Sequence, residues 1–441
     1  MAAVDLGKTN ARVIGSDGRR TGGDGRVAED AEGHRGSTCM IEGRDFVVVC
    51  DHWHGSPTSA MHLFGRISRQ NRLFWINVVN RMPRLNWTDL KRTARLIRAW
   101  SVKSNGVFKP SDDHGSYVFG TPHIVTPLML PCFKRTIRRF NRTSLHRTYT
   151  RVAAEHDIRS PVFIAVYPCA IDLMHSVGAA LNIYYCVDSW LEFPWVNRAD
   201  WQHMESELLD AVDGLVVTGR ALEQKNRRGC PMLYLPQGVD FGHFRSARSS
   251  ARGLAPVPRM ESIPRPIVGF FGVVGPWMDL DLLARLGKAF PDVSFVFIGR
   301  PEISLSALES FGNIYFLGQV PYSELPGFAR YFDVGLIPFS VNNLTLAVNP
   351  VKLLEYYALG LPVLATRLPE LETVGGPIWL ASNPAEFCDA LGTILSQDRG
   401  ARATEAVEIA RRNTWERRVA QLCTFIEDID RTVARPHGRA K

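Results

Sequence analysis

The stretch NPVKLLEYYALGLPVLA, Asn349–Ala365, runs from a short helix directly into a buried strand. Pro350 is favoured in a first helical turn, because its missing N–H is not needed there. Gly360 and Pro362 end the helix, and the apolar run that follows is typical of a parallel strand. A helix followed at once by a buried strand is the repeating unit of α/β sheets. This stretch therefore predicts an α/β protein.

The alternation of strands and helices continues on both sides of this stretch. PIVGFFGVVG, Pro266–Gly275, runs from a strand into a glycine turn, and DFVVVCDHWHGSP, Asp45–Pro57, runs from a strand into a polar loop. Successive strand–helix–strand units pack with right-handed crossovers, as in Rossmann-like folds. Further strands are predicted at Arg72–Val79, Gly115–Phe119, Val162–Tyr167, Asn182–Val187, Gly214–Thr218, Val293–Ile298, Ile314–Phe316, Val334–Ile337 and Val363–Ala365.

The length of the chain requires more than one core. A single core stops growing at roughly 250–300 residues, and this chain has 441. We predict two Rossmann-like domains that face each other across a cleft. The predicted divisions are a disordered leader at 1–43, an N-terminal domain at 44–245, an Arg-, Ser- and Pro-rich linker at 246–262, a C-terminal domain at 263–405, a helix at 406–433 that can pack back on the N-terminal domain, and a tail at 434–441.

Composition indicates a globular protein of the cytoplasm. Apolar residues make up 45% of the chain, which excludes a largely disordered protein. None of the eight cysteines forms a C-x-x-C pair, so we expect reduced thiols rather than a disulfide framework or a zinc site. No run reaches the ~18 apolar residues of a transmembrane helix, and no signal peptide pattern opens the chain. We expect a cytoplasmic enzyme.

The net charge of +8 is concentrated in one region. Between Arg81 and Arg151 there are fifteen Lys and Arg residues against three acidic ones. Within it, Thr126–Arg147 mixes basic residues with Leu, Met and Phe, a pattern that can lie on the anionic inner face of a membrane. The alternative is a core-packing helix with a solvated basic face. Nucleic acid is not an expected partner, because no nucleic-acid-binding motif accompanies the charge.

Three loops of the C-terminal half are candidates for ligand binding, because ligands of open α/β sheets bind beyond the carboxyl ends of the strands. The turn from Gly272 to Gly275 allows backbone N–H groups to approach a phosphate. Arg300 ends another strand, where it can meet a phosphate or a base, or can be an ordinary surface arginine. The third loop leads into the helix of the opening stretch.

That helix carries the strongest signal. Its N-terminus provides free N–H groups and a partial positive charge, and Lys352 lies in its first turn. Glu355, three residues further, lies on the same side and can accept two hydrogen bonds from a ribose diol. We predict that Asn349, Lys352, Leu353 and Glu355 bind a nucleoside diphosphate. The alternative is an amphipathic helix with a surface Lys–Glu pair.

The C-terminal half resembles the group 1 glycosyltransferases of the two-domain GT-B fold. The matching segments are FFGVVGPWMDLDLL, FVFIGR, NIYFLGQVPYSELPGFARYFDVGLIPF, NPVKLLEYYALGLPVLAT and NTWERRV. The first half is similar to bacterial exopolysaccharide glycosyltransferases in DHWHGSPTS, RLFWINVV, YYCVDSW, ELLDAVDGLVVTGRAL and LPQGVDFGHF. The resemblance implies a nucleotide-sugar donor in the C-terminal domain and an acceptor in the N-terminal domain.

Two features of the family are missing from this chain. Many retaining members carry two Glu residues separated by seven others; Glu355 fills the second place, but Ala347 stands in the first. The family's Arg/Lys pair after the first C-terminal strand is also absent, which leaves Lys352 to neutralise the diphosphate. The chain is here more similar to the glucuronosyltransferase of xanthan synthesis, and this similarity implies that Asp188 in YYCVDSW is the catalytic base. Capping of the next turn is the alternative role of Asp188.

Polar residues after the first strand also belong to the predicted site. Asp51, His52 and Thr58 are predicted to bind the acceptor, and His54 to act as a second catalytic group or to position the acceptor. A histidine in such a loop is more often structural or in contact with substrate than catalytic.

These features predict a glycosyltransferase that moves a sugar from a nucleoside-diphosphate sugar to a hydroxyl of a saccharide or lipid-linked saccharide in cell-surface polysaccharide assembly. No metal or other cofactor is expected, since no D-x-D signature ends a donor-region strand and Lys352 can stabilise the leaving diphosphate. A sugar-nucleotide epimerase on the same fold and a non-catalytic partner of a transferase are the alternatives.

Overall fold

The computed structural model describes residues 41–53, 57–78, 107–108, 120–130, 135–249, 256–398 and 400–433. Several predictions of the sequence analysis concern residues outside these ranges. They are the leader up to residue 40, the catalytic candidate His54, the strand Gly115–Phe119, residues 250–255 of the linker and the tail 434–441.

The first sheet has seven parallel strands and one two-residue antiparallel strand at its edge. Its strands are β1 (Asp45–Cys50), β2 (Arg72–Asn77), β3 (Val107–Phe108), β4 (His123–Val125), β5 (Val162–Ala165), β6 (Leu181–Cys186), β7 (Gly214–Val217) and β8 (Met232–Tyr234). They lie in the order β3-β4-β2-β1-β5-β6-β7-β8, and only the β3–β4 pair is antiparallel. The central strands are buried on both faces, as their continuous apolar sequences require.

The second sheet has six parallel strands. They are β9 (Ile267–Phe271), β10 (Ser294–Ile298), β11 (Ile314–Gly318), β12 (Val334–Ile337), β13 (Val363–Thr366) and β14 (Ile378–Ala381), in the order β11-β10-β9-β12-β13-β14. This is the 3-2-1-4-5-6 order of a Rossmann fold, and the first six parallel strands of the first sheet repeat it. The predicted α/β class with two Rossmann-like domains is confirmed.

Helices cover the faces of both sheets. Those in the described ranges are Ser59–Ile67, Arg135–Glu155, Ile171–Met174, Arg198–Ala211, Phe241–Ser249, Pro258–Glu261, Leu280–Ala289, Leu325–Ala329, Asn343–Leu346, Lys352–Ala358, Pro369–Glu372, Pro384–Ser396, Gly400–Arg412 and Trp415–Val433. None of them is both long and apolar enough to cross a membrane.

The last helix, Trp415–Val433, belongs to the core of the first sheet. Its buried residues Trp415, Ile426 and Ile429 join the cluster built on β1 and β5–β7. Gly214 in β7 leaves room for it, because a Cβ there would lie 2.5 Å from Cδ1 of Ile429. The chain therefore crosses twice between the two domains.

One expectation from the sequence needs correction. Strands β4, β8 and β14 were not predicted, because runs of three or four residues near sheet edges are too short to show a periodicity. In the described part of the chain, Cys50, Cys169, Cys186, Cys230 and Cys388 are free.

Candidate functional site

A cavity of about 420 Å³ lies where the carboxyl ends of the first sheet meet the second domain. Asp51 follows β1 and Asp188 follows β6, and both line it. Thr58 lines it from the start of helix Ser59–Ile67, and Glu355 from the second domain. Because β1 and β5 flank the point where strand order reverses, this is where a Rossmann-like sheet binds ligands. The structure thus brings together four predicted site residues from two domains.

Three carboxyl groups share this cavity. Burial raises the pKa of Asp188 to about 7. Burial also raises the pKa of Glu355 to about 7, against the opposing charge of Lys352. Burial raises the pKa of Asp51 too, opposed by hydrogen bonds from Cys50 and Tyr167. None of the lining residues that the structure describes is a lysine or an arginine, so the cavity has carboxyl groups without a neighbouring Lys or Arg in its wall.

Lys352 lies next to the cavity, over the end of β9. Its ammonium group is 5.3 Å from the centre of the Phe270 ring. A Cβ on Gly272 would lie 2.6 Å from Cε and 2.8 Å from Nζ of Lys352, so only glycine lets the lysine lie across this turn. Burial lowers the pKa of Lys352, whereas the charge of Glu355 raises it. The two residues therefore interact electrostatically, with Glu355 on the cavity side.

The predicted free N–H groups of the Lys352–Ala358 helix are largely used. The N–H of Leu353 donates to the carbonyl of Pro350 (3.3 Å), and those of Leu354 and Glu355 donate to Val351 (3.0 and 3.2 Å). A tight turn before the helix supplies these acceptors, which the sequence analysis did not foresee. The positive charge available to an anion here is thus mainly that of Lys352. The Tyr356 hydroxyl shares its one proton between the carbonyl oxygens of Gly269 and Leu336, both 3.2 Å away, and so holds the helix on the sheet.

Gly272→Ala should therefore disturb Lys352 without touching its charge. Gly272 has φ +121°, which strains any residue with a side chain, and the new methyl group would displace the ammonium group. We expect the affinity for a nucleoside diphosphate, the ligand that the sequence predicts, to fall about 10-fold, the loss of one charge-assisted contact. Calorimetric titration measures it. Gly312→Ala is the control, since open space surrounds that position; an equal loss in both variants would contradict the role of the turn.

Three other predicted donor residues have different surroundings. Gly275 lies beneath the Trp277 ring, 2.6 Å from where its Cβ would be. The Arg300 guanidinium pairs with the Glu302 carboxylate (2.6 Å). The backbone carbonyl of Arg300 accepts a hydrogen bond from the N–H of Val274. The side chain of Leu353 is buried in the core of the second sheet. None of the three lines the cavity.

Asn349 belongs to a hydrogen-bond network that joins the two domains. Its amide donates to the carboxylate of Glu370 (2.8 Å). The same carboxylate accepts hydrogen bonds from the N–H of Arg220 (2.5 Å) and the hydroxyl of Tyr234 (2.6 Å), both in the first domain. Gly219 permits this approach, because a Cβ there would lie 2.5 Å from the carbonyl oxygen of Ala347. Ala347, where many retaining members carry a glutamate, is thus part of a closely packed domain contact.

Glu370→Ala should destabilise the protein by about 3 kcal/mol, since it leaves three donors of this network unpaired. Glu370 is almost fully buried, so water cannot easily replace the carboxylate. Urea denaturation checks the value. Glu372→Ala serves as the control on the same helix. Glu372 and Arg367 form an exposed ion pair, which contributes about 1 kcal/mol or less to stability. Equal stabilities of the two variants would refute the importance of the network.

The remaining predicted acceptor residues differ in position. The hydroxyl of Thr58 accepts a hydrogen bond from the N–H of Met61 (3.3 Å) and so caps the helix, while the residue still lines the cavity. His52 is not among the lining residues. His54 lies outside the described residues. Among the residues the structure covers, no group of three or more His, Cys, Asp or Glu side chains could hold a metal ion.

Sequence reasoning missed two groups of lining residues. One is an aromatic wall formed by Tyr167, Trp190, Phe193, Trp195 and Trp201. The other is Gln237, in the loop after β8. The run SWLEFPW after Asp188 was the available signal for the wall, because bulky rings crowd a loop at the carboxyl end of a strand.

Comparisons with known proteins agree with this architecture. Residues 265–397 match the family described as "Glycosyl transferases group 1". A glycosyltransferase of Bacillus subtilis (strain 168) assigned to teichuronic acid biosynthesis, TuaH, is 26% identical over 266 residues. That match spans 55% of this chain and 66% of the Bacillus protein, just under two thirds of its length.

Solved structures share the fold at low identity. Sucrose-phosphate synthase of Thermosynechococcus elongatus superposes with a TM-score of 0.62 at 12% identity, over 88% of this chain and 100% of that one. The α,α-trehalose-phosphate synthase of Burkholderia vietnamiensis gives 0.61 at 14%, over 89% and 99%. HepE of Anabaena, solved with UDP and glucose, gives 0.60 at 11%, over 87% and 100%. Residues 265–397 thus form a group 1 glycosyltransferase domain within a GT-B fold, and the family predicted from the sequence, whose members are glycosyltransferases, is confirmed.

Proposed function

We propose that this protein transfers a sugar from a nucleoside-diphosphate sugar to a hydroxyl of a saccharide or lipid-linked saccharide in cell-surface polysaccharide assembly. One observation carries the proposal: a cavity between the two domains joins Asp188 of the first with Glu355 of the second, and Lys352 lies beside Glu355. The similarity to a teichuronic acid glycosyltransferase supports the cell-surface setting.

The donor diphosphate binds against Lys352 and the Gly272 turn. The carboxyl groups of the cavity repel an anion, so the diphosphate stays on the lysine side and the sugar enters the cavity. Glu355 is placed between these regions and accepts hydrogen bonds from the ribose when it is ionised. Lys352 also stabilises the negative charge that develops on the leaving nucleoside diphosphate. The proposal includes no metal ion and no other cofactor.

Asp188 is the proposed base. Its raised pKa of about 7 suits proton transfer near neutral pH. As the acceptor oxygen forms its bond to the anomeric carbon, Asp188 takes the hydroxyl proton and the bond from that carbon to the diphosphate breaks. A single displacement of this kind inverts the anomeric configuration. Asp51 lies on the same wall and positions the acceptor.

A panel of UDP-, GDP- and dTDP-sugars tests the function. Each would be incubated with simple glycoside acceptors, and release of the nucleoside diphosphate and the anomeric configuration of the product would be followed by NMR. Transfer with inversion is expected from at least one donor. Interconversion of the free sugar nucleotide would identify an epimerase instead, and nucleotide binding without turnover would identify a non-catalytic partner.

The helix Arg135–Glu155 supports a site on the inner face of a membrane. Phe140 is 43% exposed although it is aromatic, and Arg139, Arg142 and Arg147 are exposed on the same helix. Arg138 points elsewhere, because it pairs with Asp172 (2.9 Å). A basic surface with an exposed ring suits an anionic membrane, where a lipid-linked acceptor would reside.

Vesicles test this surface. The protein should co-sediment with vesicles that contain about 30% phosphatidylglycerol and less with neutral ones, since each basic residue adds roughly 1 kcal/mol at an anionic surface. Replacing Arg139 and Arg142 together by glutamine should weaken binding about 10-fold or more. Arg159→Gln with Arg228→Gln removes the same charge from other exposed places. Equal losses from both pairs would indicate non-specific attraction only.

A further inference from the structure

Two buried polar atoms in the wall of the cavity have no hydrogen-bond partner in the part of the chain that the structure describes. They are Nε1 of Trp190 and Oε1 of Gln237, in residues that are 6% and 7% exposed. The third such atom, Oδ1 of Asn182, belongs to a residue that does not line the cavity. Buried polar groups are nearly always paired, so two orphaned atoms in one cavity indicate a site that a ligand completes.

The two atoms are complementary to hydroxyl groups. An indole N–H can only donate a hydrogen bond and an amide oxygen can only accept one, whereas a hydroxyl does both. Trp190 and Gln237 do not pair with each other, so a ligand must supply a partner to each. The carboxyl groups of Asp51 and Asp188 are further acceptors in the same cavity. Such a set of groups selects a neutral, hydroxyl-rich ligand over an anion.

The aromatic wall adds an apolar surface of rings that pack on one another. The rings of Tyr167 and Trp190 are 4.4 Å apart, those of Trp190 and Phe193 are 5.8 Å apart, and those of Phe193 and Trp195 are 4.8 Å apart. The negative face of an aromatic ring attracts the C–H groups on the apolar face of a pyranose. Partners for hydroxyl groups and aromatic rings in one cavity are together what binding a sugar requires.

We infer that Trp190, Gln237 and the aromatic wall form a subsite that recognises a sugar ring of the acceptor by its hydroxyl groups. Both residues belong to the first domain and line the cavity together with Asp188. The inference rests on the proposed function where it assigns the bound sugar to the acceptor, because the sugar of the donor carries the same kind of hydroxyl groups. It makes Trp190 and Gln237 residues that determine specificity.

Binding of simple glycosides tests the subsite directly. The probes are the methyl β-glycosides of glucose, galactose, glucuronic acid and N-acetylglucosamine, followed by saturation-transfer NMR, with cyclohexanemethanol as a ring that bears one hydroxyl. Trp190→Phe keeps the ring and removes the N–H, and Gln237→Met keeps the length and removes the acceptor. Each should weaken the best glycoside about 3- to 10-fold, the loss of one hydrogen bond, and leave cyclohexanemethanol nearly unchanged.

Two further variants make the comparison specific. Gln237→Glu retains an acceptor oxygen and should bind the glycoside within about 3-fold of the wild type. Trp379→Phe is the control for the loss of an indole, because Trp379 lies in β14 outside the cavity wall. UDP affinity should stay the same in all four variants, which also shows that they fold.

The outcomes separate this inference from the proposed function. Glycoside binding that is undetectable, or unaffected by Trp190→Phe and Gln237→Met, would overturn the subsite and show that water alone completes the two atoms. If Trp190→Phe and Gln237→Met raise the KM of the donor and leave the KM of the acceptor unchanged, the subsite belongs to the donor sugar. That result would also overturn the inference. Failure of every donor to transfer or hydrolyse would reject the proposed function, while glycoside binding would still report on the subsite.

Discussion

Asp188→Asn is expected to lower kcat for sugar transfer by about 100- to 10,000-fold, the range that a positioned general base contributes. Asparagine keeps the shape of the side chain but cannot accept the proton of the acceptor hydroxyl. UDP affinity should change less than about 2-fold, because the Lys352 region is untouched. Initial rates at saturating donor and acceptor measure the effect. Undiminished transfer by Asp188→Asn would remove Asp188 from the mechanism.

The pH dependence of kcat gives a second readout for Asp188. Burial raises its pKa to about 7, and a base must be ionised to act. In the wild type, kcat should therefore rise as the pH passes from below 7 to above it. In Asp188→Asn this rise should disappear from the residual kcat at saturating donor, since the ionisation of Glu355 acts on donor binding in the proposed function. Asp51→Asn is the informative comparison, since it also removes a cavity carboxyl group but should retain the rise near pH 7.

Stability should move in the opposite direction from activity. The folded-state pKa of Asp188 is raised above its ordinary value of 3.8, so between about pH 4 and 7 the folded state binds more protons than the unfolded state. Its contribution to stability is present below pH 4 and is lost as the pH rises through 7. Asp188→Asn removes this loss, and its Tm at pH 8 should exceed that of the wild type by about 2–4 °C. A lower Tm would argue against a desolvated carboxylate.

Lys352→Ala is expected to weaken UDP binding about 10- to 100-fold, the loss of a hydrogen bond to a charged group. The effect should be large because the N–H groups of Leu353, Leu354 and Glu355 are already paired and cannot replace the ammonium group. The kcat for transfer should fall as well, since the charge on the leaving diphosphate grows in the transition state. Calorimetric titration with UDP and with uridine would separate the two parts of the nucleotide.

The comparison between UDP and uridine sharpens this prediction. Lys352→Ala should affect UDP strongly and uridine little, whereas Glu355→Gln should affect both, because both carry the ribose. Lys288→Ala is the control, as Lys288 is an exposed lysine at the end of another helix of the same domain. Unchanged UDP affinity in Lys352→Ala would place the diphosphate elsewhere.

Several features of the site follow from local sequence. A buried apolar run that ends in Asp51 or in Asp188 predicts a strand with a carboxyl group at its end, and parallel strands bring such ends to one edge. The Asn349–Ala365 pattern predicts a helix followed by a strand, and the structure has Lys352–Ala358 and Val363–Thr366. These predictions succeed because burial and turn chemistry act over a few residues.

Other features depend on contacts between residues far apart in the chain. Glu370 joins Asn349 to Arg220 and Tyr234 across about 150 residues of sequence, and no local pattern marks it. The short strands β4, β8 and β14 exist because their neighbours β2, β7 and β13 offer them an edge to pair with. The first turn of the Lys352 helix uses its own N–H groups because the preceding backbone folds tightly, which the residue types alone do not require.

The sequence by itself determined the α/β class and the two Rossmann-like domains, because periodicity is local, and its motifs carried the resemblance to the family. Tertiary structure alone decided how the Asn349–Ala365 helix meets its surroundings: Glu355 faces a cavity lined by Asp51 and Asp188, and Lys352 lies across Gly272. Burial raises the pKa of two of these carboxyl groups to about 7, and burial is a property of the assembled domains. Tertiary structure also decided that the buried polar atoms of Trp190 and Gln237 lack hydrogen-bond partners, since this depends on all the residues that pack around them.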